Sequence, residues 1–248
     1  MIINKRIKTM SGIQWWLLFF WVCLLYSFNI KAQDTKQKIA CIGNSITFGA
    51  RLTHPEKESY PAVLSALLNE NGYPNYEIRN FGIGGATILR FGKPNLWSIL
   101  DSLKNYPPEI VVIKAGTNET VGAPRLNWEH ISEFEKDYSD FIAGIRKINP
   151  DCRIIICSPL DMVLETKDLT KERKDDLSAR RPRIWELRQR IKKIAAKEHV
   201  FFLDLTKPFK GKSNLMTTTD GVHPNLDGYH YLGTLVFNCM RKKKIIVQ

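Results

Sequence analysis

Ser45 closes the run Ile39-Ala40-Cys41-Ile42-Gly43-Asn44-Ser45, where an apolar stretch of strand type gives way to a short loop and then an amphipathic helix. A serine hydroxyl in that place is a candidate nucleophile, provided that a base and oxyanion donors reach it. A serine after a strand is more often a turn residue or a helix cap, so the case rests on its partners. Three other segments supply the residue types needed. Asp220-Gly221-Val222-His223-Pro224 sets an Asp three residues before a His in a turn shaped by Gly and Pro. Such an Asp can reach back to Nδ1, fix the tautomer and leave Nε2 facing a nucleophile. Gly116-Thr117-Asn118-Glu119 offers an Asn amide that can donate to a developing oxyanion. Asn80-Phe81-Gly82-Ile83-Gly84-Gly85-Ala86-Thr87 is a glycine-rich turn whose backbone N–H groups can approach a ligand closely.

Other readings of the same residues are weaker. Gly82 and Gly84 match the start of a dinucleotide fingerprint, but Thr87 holds its third glycine position. His54, His130, His199 and His230 lack the setting of His223 and read as surface or packed residues. Asn118-Glu119-Thr120 is the chain's one N-glycosylation sequon. At a strand end beside a pocket it is poorly accessible, and it is read as chance. No Cys/His cluster has zinc-ligand spacing, so neither a metal nor a cofactor is expected.

The elements that must position these residues follow from periodicity. Five short apolar runs alternate with helical patterns: Lys38–Gly43, Tyr76–Phe81, Glu109–Lys114, Arg153–Cys157 and Val200–Leu205. Most are continuous rather than alternating, as in parallel strands buried on both faces. Tyr60, Val63, Leu64, Leu67 and Leu68 share one helical face, and Gly72 suits the stop. Leu96 to Tyr106 reads as a shorter helix closed by Pro107-Pro108. A long stripe runs from Ile131 to Ile148, another from Ile184 to Ile194, and a last helix from Leu226 to Met240, with a kink expected near Gly233. Alternating strands and helices imply an α/β fold with a parallel sheet between two helical layers. Pro159 to Pro182 is long, charged and without a clear period, and reads either as a functional lid or as a disordered insertion.

The 248 residues, 44% of them hydrophobic, are enough for one domain plus a processing segment. Residues 1–32 read as a secretory signal. Lys5, Arg6 and Lys8 form a basic start, Trp15 to Ile30 is almost wholly apolar, and Ile30-Lys31-Ala32 precedes a cleavage site at Ala32-Gln33. The apolar run is short of the roughly 20 residues that span a membrane, so the segment is expected to be cleaved rather than retained as an anchor. Cys23 lacks the small residue that precedes a lipidated cysteine. The expectation is therefore an exported protein, periplasmic or extracellular, with residues 33–248 as a single domain and no stable membrane insertion. Four of the basic residues and none of the acidic ones lie in residues 1–32, so the net charge of +12 falls to +8 without them. The charge is scattered over helix faces with no arginine-aromatic pattern, so no nucleic-acid partner is expected, although the tail Arg241-Lys242-Lys243-Lys244 could touch an anionic surface. Cys41 and Cys157 lie in apolar runs as small core residues, and the cysteine spacing is no disulfide framework.

Taken together, the four segments resemble the SGNH/GDSL hydrolase family. Its four sequence blocks occur in order and at the expected places relative to the strands, over roughly residues 38–235. The resemblance implies a three-layer, flavodoxin-like fold with a five-stranded parallel sheet of order 2-1-3-4-5. It implies a serine esterase in which Ser45 is the nucleophile, His223 the general base and acid, and Asp220 the residue orienting His223. It places the oxyanion hole at the Ser45 N–H, the Gly85 N–H and the Asn118 side chain, with Gly84 as the fallback for Gly85. Two residues depart from the family pattern. Gly43-Asn44-Ser45 stands where the family has Gly-Asp-Ser, and Glu119 follows Asn118 where an Asp is usual. In that sheet order the ligand crevice opens between strands 1 and 3, with Ser45 on one side and Asn118 on the other.

The resemblance implies an acylated small molecule or glycan as substrate. Exported members that this chain resembles suggest removal of O-acetyl groups from carbohydrates. Phe48, Arg51, Tyr60, Phe91, Trp97 and Trp128 near the site could meet sugar rings, or could serve as core and rim packing. Arg180, Arg181 and Arg183 could meet an acidic sugar or solvate a helix start. A lysophospholipase or thioesterase is the second reading, and a non-catalytic glycan-binding module the third.

Overall fold

A computed structural model describes residues 36–248. The segment read as a secretory signal lies outside the described residues. Five strands, β1 (Gln37–Gly43), β2 (Tyr76–Gly82), β3 (Ile110–Lys114), β4 (Arg153–Cys157) and β5 (Phe201–Leu203), form one parallel sheet in the order β2-β1-β3-β4-β5. The chain leaves β1 in one direction to make β2 and in the other to make β3, β4 and β5. The switch point lies between β1 and β3, where open α/β sheets bind ligands.

Side chains alternate across the sheet with period two. One set, with Ala40, Ile42, Val111, Ile113, Ile154 and Ile156, packs under α4 (Ile99–Lys104), α5 (Phe134–Ile148) and α6 (Lys171–Lys197). The other, with Ile39, Cys41, Ile110, Val112, Ile155 and Cys157, packs under α3 (Tyr60–Glu70) and α8 (Leu226–Lys242). Being covered on both faces explains why these strands read as continuous apolar runs. Short helices α1 (Ser45–Phe48), α2 (Pro55–Glu58) and α7 (Thr206–Phe209) complete the α-helices among the described residues.

Two expectations need correction. The helix expected over Leu96 to Tyr106 is only α4. Asn95 Oδ1 accepts the Trp97 amide at 3.2 Å, which holds the preceding residues in a turn. Pro159 to Pro182 is neither a free lid nor disordered. Its second half is the start of α6, capped by the Thr170 hydroxyl, and Pro182 lies inside that helix. An interior proline costs about 3 kcal/mol in an isolated helix, and this one is offset by anchoring on both sides. The buried carboxylate of Asp161 accepts from Arg181 at 2.7 Å and from Trp185 Nε1 at 2.9 Å. Gly233 allows a close approach between helices: a Cβ there would lie 2.6 Å from Val63 Cγ1 on α3.

Candidate active site

Ser45 is the first residue of α1, directly beyond β1. The turn into it is tight. A side chain on Gly43 would place its Cβ 2.2 Å from Thr47 Oγ1 and 2.5 Å from the Lys114 carbonyl, so glycine alone fits. Asn44 caps the helix, its Oδ1 accepting the Ile46 amide at 3.2 Å. That is a function a carboxylate would also serve, so Asn in place of Asp leaves the turn intact. The Ser45 amide stands at the helix start, where N–H groups have no intrahelical acceptor.

Ser45 Oγ lies 2.8 Å from His223 Nε2, and His223 Nδ1 lies 2.9 Å from Asp220 Oδ2. An ionised carboxylate only accepts, so Nδ1 carries the proton and Nε2 is left to accept from the serine. Asp220 Oδ1 accepts the amides of Val222 and His223, both at 2.8 Å. Burial pushes the Asp220 carboxyl up, but the His223 ring and these amides outweigh it and hold it at about 2. The carboxylate is thus ionised at neutral pH.

The loop carrying this pair is buttressed from below. Gly221 has φ +63°, and a Cβ on it would come within 2.7 Å of the Val163 carbonyl. The Val163 amide donates to the Gly221 carbonyl at 2.9 Å. Val222 packs with Met162, Leu169, Leu177 and Ile184 in a small separate core. Arg173 Nε donates to the Asp220 carbonyl at 2.9 Å, and Arg51 Nε lies 3.3 Å from Asp220 Oδ2. The charged segment before Pro182 therefore supports the His223 loop. None of His54, His130, His199 and His230 joins the Ser45–His223–Asp220 line.

Ser45, Gly85 and Asn118 follow β1, β2 and β3, three strands that are neighbours in the sheet. Asn118 Nδ2 donates to the Ala86 carbonyl at 2.8 Å, which uses one of its two N–H bonds and leaves the other. Asn127 Nδ2 donates to the Asn118 carbonyl at 2.9 Å. Arg125 donates to the carbonyls of Gly85 at 2.6 Å and Lys93 at 3.0 Å. Glu119, wholly buried, accepts the amides of Ile88 at 2.6 Å and Gly116 at 2.9 Å. Lys114, the last residue of β3, is also buried, and its Nζ has no hydrogen-bond partner among the described residues. Burial pushes the Lys114 ammonium down to about 8, while Cys157 and Glu119 act to raise it.

The expected aromatic and arginine residues divide. Tyr60 is buried, and Trp97 bonds through Nε1 to the Ile88 carbonyl at 2.9 Å, so both are structural. Phe48 is half exposed, and Phe91, also exposed, stacks on His130. Arg180 and Arg183 bond the Thr117 and Thr120 carbonyls. Arg183 also covers Trp128. Arg181 is committed to Asp161. Arg180 and Arg183 hold α6 to the Asn118 loop and Arg181 holds it to the loop after β4, so the three are neither a solvated helix start nor a free anion site. Cys41, Cys152, Cys157 and Cys239 are free thiols. Among the described residues, no group of three or more His, Cys, Asp or Glu is placed to hold a metal ion, and no helix is long and apolar enough to cross a membrane. The sequence reading did not single out Arg125 and Arg173. Their targets are backbone carbonyls on distant loops, which leave no trace in local spacing.

A family model described as the GDSL-like Lipase/Acylhydrolase family matches residues 41–231. An acetylxylan esterase of Xylanibacter ruminicola is 38% identical over 112 residues, a stretch covering 44% of this chain and 22% of that protein. The chain thus matches about a fifth of the length of that curated relative. Among solved structures, a lipase/acylhydrolase from Enterococcus faecalis superposes with a TM-score of 0.66 at 20% identity, covering 84% of this chain and 96% of that one. An acetyl xylan esterase superposes with a TM-score of 0.63 at 22% identity, covering 81% and 98%. A carbohydrate acetylesterase from Sinorhizobium meliloti does so at 0.64 and 16%, covering 84% and 99%. At these identities the structures share the fold.

Proposed function

Because the chain belongs to the GDSL-like Lipase/Acylhydrolase family, it is an ester-hydrolysing enzyme, and we propose that it removes O-acetyl groups from carbohydrates through an acyl-enzyme on Ser45. The observation that carries the mechanism is the continuous line from Ser45 Oγ through His223 to Asp220, with links of 2.8 and 2.9 Å. Ser45 Oγ attacks the ester carbonyl carbon while its proton passes to His223 Nε2. The carbonyl π electrons move onto oxygen, where the Ser45 and Gly85 amides and the free Asn118 N–H receive the charge. The bond to the sugar oxygen then breaks, and His223 returns the proton to it. Water attacks the acyl-enzyme with His223 again as base, releasing the acid and restoring Ser45. Throughout, Asp220 holds the tautomer and stabilises the imidazolium.

The acetyl and carbohydrate parts of the proposal are supported by the 38% identical stretch of the Xylanibacter ruminicola acetylxylan esterase. The test is acetate release from acetylated xylan, together with rates on 4-nitrophenyl esters of increasing chain length. The proposal expects acetate release and a rate highest for acetyl. A rate that rises with longer chains, without acetate release from the glycan, would indicate a lysophospholipase or thioesterase instead.

On the same reading, residues 1–32 are a secretion signal removed at Ala32-Gln33, leaving residues 33–248 as one catalytic domain outside the cytoplasm. The basic start and the apolar run from Trp15 to Ile30 support this. Mass spectrometry of the exported protein should find Gln33 at its N-terminus. A protein that keeps Met1 would contradict the cleavage.

A further inference from the structure

We infer that Glu119 is a positioning residue that locks the two oxyanion loops together, fixing the Asn118 amide and the Gly85 peptide relative to Ser45. The inference rests on the acyl-enzyme reading above and concerns a residue that takes no part in the chemistry. Its two carboxylate oxygens are divided between two loops. Oε1 accepts the Ile88 amide at 2.6 Å, in the loop after β2, and Oε2 accepts the Gly116 amide at 2.9 Å, in the loop after β3. Both bonds are charge-assisted and wholly out of water, the setting in which such bonds are strongest.

What the bridge controls is the orientation of Asn118. One Asn118 N–H is spent on the Ala86 carbonyl at 2.8 Å, so the direction of the second depends on where Ala86 sits. Ala86 lies between Gly85, an expected oxyanion donor, and Ile88, which Glu119 holds. If the loop after β2 moves away from the loop after β3, the Asn118 amide turns with it and the Gly85 amide shifts. Arg125, in the loop after β3, adds a second tie by donating to the Gly85 and Lys93 carbonyls, but from a half-buried position, whereas both Glu119 bonds are buried. Among the side chains around Asn118, Glu119 alone accepts amides from both loops.

Both Glu119 oxygens accept from backbone amides, as a carboxylate does. Burial raises its carboxyl above the ordinary range, against the opposing pull of the Ile88 and Gly116 amides and the Lys114 ammonium. Reach matters as well as charge. An Asp at this position is shorter by one methylene, so it can accept from one loop or the other. A Gln has only one acceptor oxygen and must turn its NH₂ toward one of the two amides.

The experiment uses Glu119→Gln and Glu119→Asp in the full chain, with 4-nitrophenyl acetate as substrate and a boronic acid as the tetrahedral mimic. Displacing an oxyanion donor should cost less than deleting it, so kcat is expected to fall about 10–100-fold with KM little changed. The boronic acid Ki should rise in parallel with the fall in kcat. A merely unstable variant would show fewer active sites but an unaltered Ki. In an Asn118→Ala background, Glu119→Gln should cost several-fold less than in wild type, because its target is already gone. Should Glu119→Gln not fold, Glu119→Asp carries the same expectations. The inference is overturned if the folded variants keep kcat within twofold, if Ki stays at its wild-type value, or if the effect is undiminished beside Asn118→Ala. Activity persisting in Ser45→Ala would instead overturn the acyl-enzyme reading on which the inference stands.

Discussion

Each oxygen of Asp220 has its own task. Oδ1 fixes the turn through two amides, and Oδ2 faces the imidazole. Because its folded value of about 2 lies below the ordinary 3.8, its stabilising contribution is complete above about pH 4 and is lost as pH falls toward 2. Wild type should therefore lose stability relative to Asp220→Asn as pH falls across that window in urea titrations. Asn118→Ala should lower kcat by about 10²–10³, as expected for one lost oxyanion donor, in 4-nitrophenyl acetate assays. At this scale much was legible in the sequence. Asp220 and His223 are three residues apart in a turn that Gly221 and Pro224 shape, so their contact is local and readable. Arg51 and Arg173 reach Asp220 from distant segments, and no short-range pattern announces that.

Helix α6 shows where periodicity misled. Its first turns carry Lys171, Glu172, Arg173, Lys174, Asp175 and Asp176, a stretch with no apolar stripe, and Pro182 reads as a stop. Tertiary anchors make it helical instead, chiefly Arg181 on the buried Asp161 and Leu177 against Val222. Arg181→Ala leaves Asp161 with Trp185 as its remaining side-chain donor and should cost about 2–4 kcal/mol, near the lower end for breaking a buried ion pair. Urea denaturation measures this directly. At the α3–α8 crossing, Gly233→Ala gains up to about 1 kcal/mol of helix propensity. It also brings a Cβ within 2.8 Å of Val63 Cβ, which no rotamer change can move. Overpacking should win, with a net loss of about 1–2 kcal/mol in the same assay. The five strands were readable because burial on both faces makes each a continuous apolar run. Their ends were less so: β5 is Phe201–Leu203 alone, where the run extended from Val200 to Leu205.

At the scale of the whole molecule, the sheet order decides the function. Periodicity alone implies a parallel sheet between two helical layers, but only the likeness of the four motifs to a family implied the order. In β2-β1-β3-β4-β5 the loops bearing Gly85, Ser45 and Asn118 are neighbours, and the loop before α8 brings His223 to them. We propose that this crevice makes an acyl-enzyme on Ser45. The most direct measurement is reaction with a fluorophosphonate, followed by intact mass and peptide mapping. One adduct per chain is expected, located on Ser45, absent from Ser45→Ala and slowed by about 10⁴-fold or more in His223→Ala. An adduct on another residue, or a Ser45→Ala variant that still hydrolyses 4-nitrophenyl acetate at the wild-type rate, would contradict it.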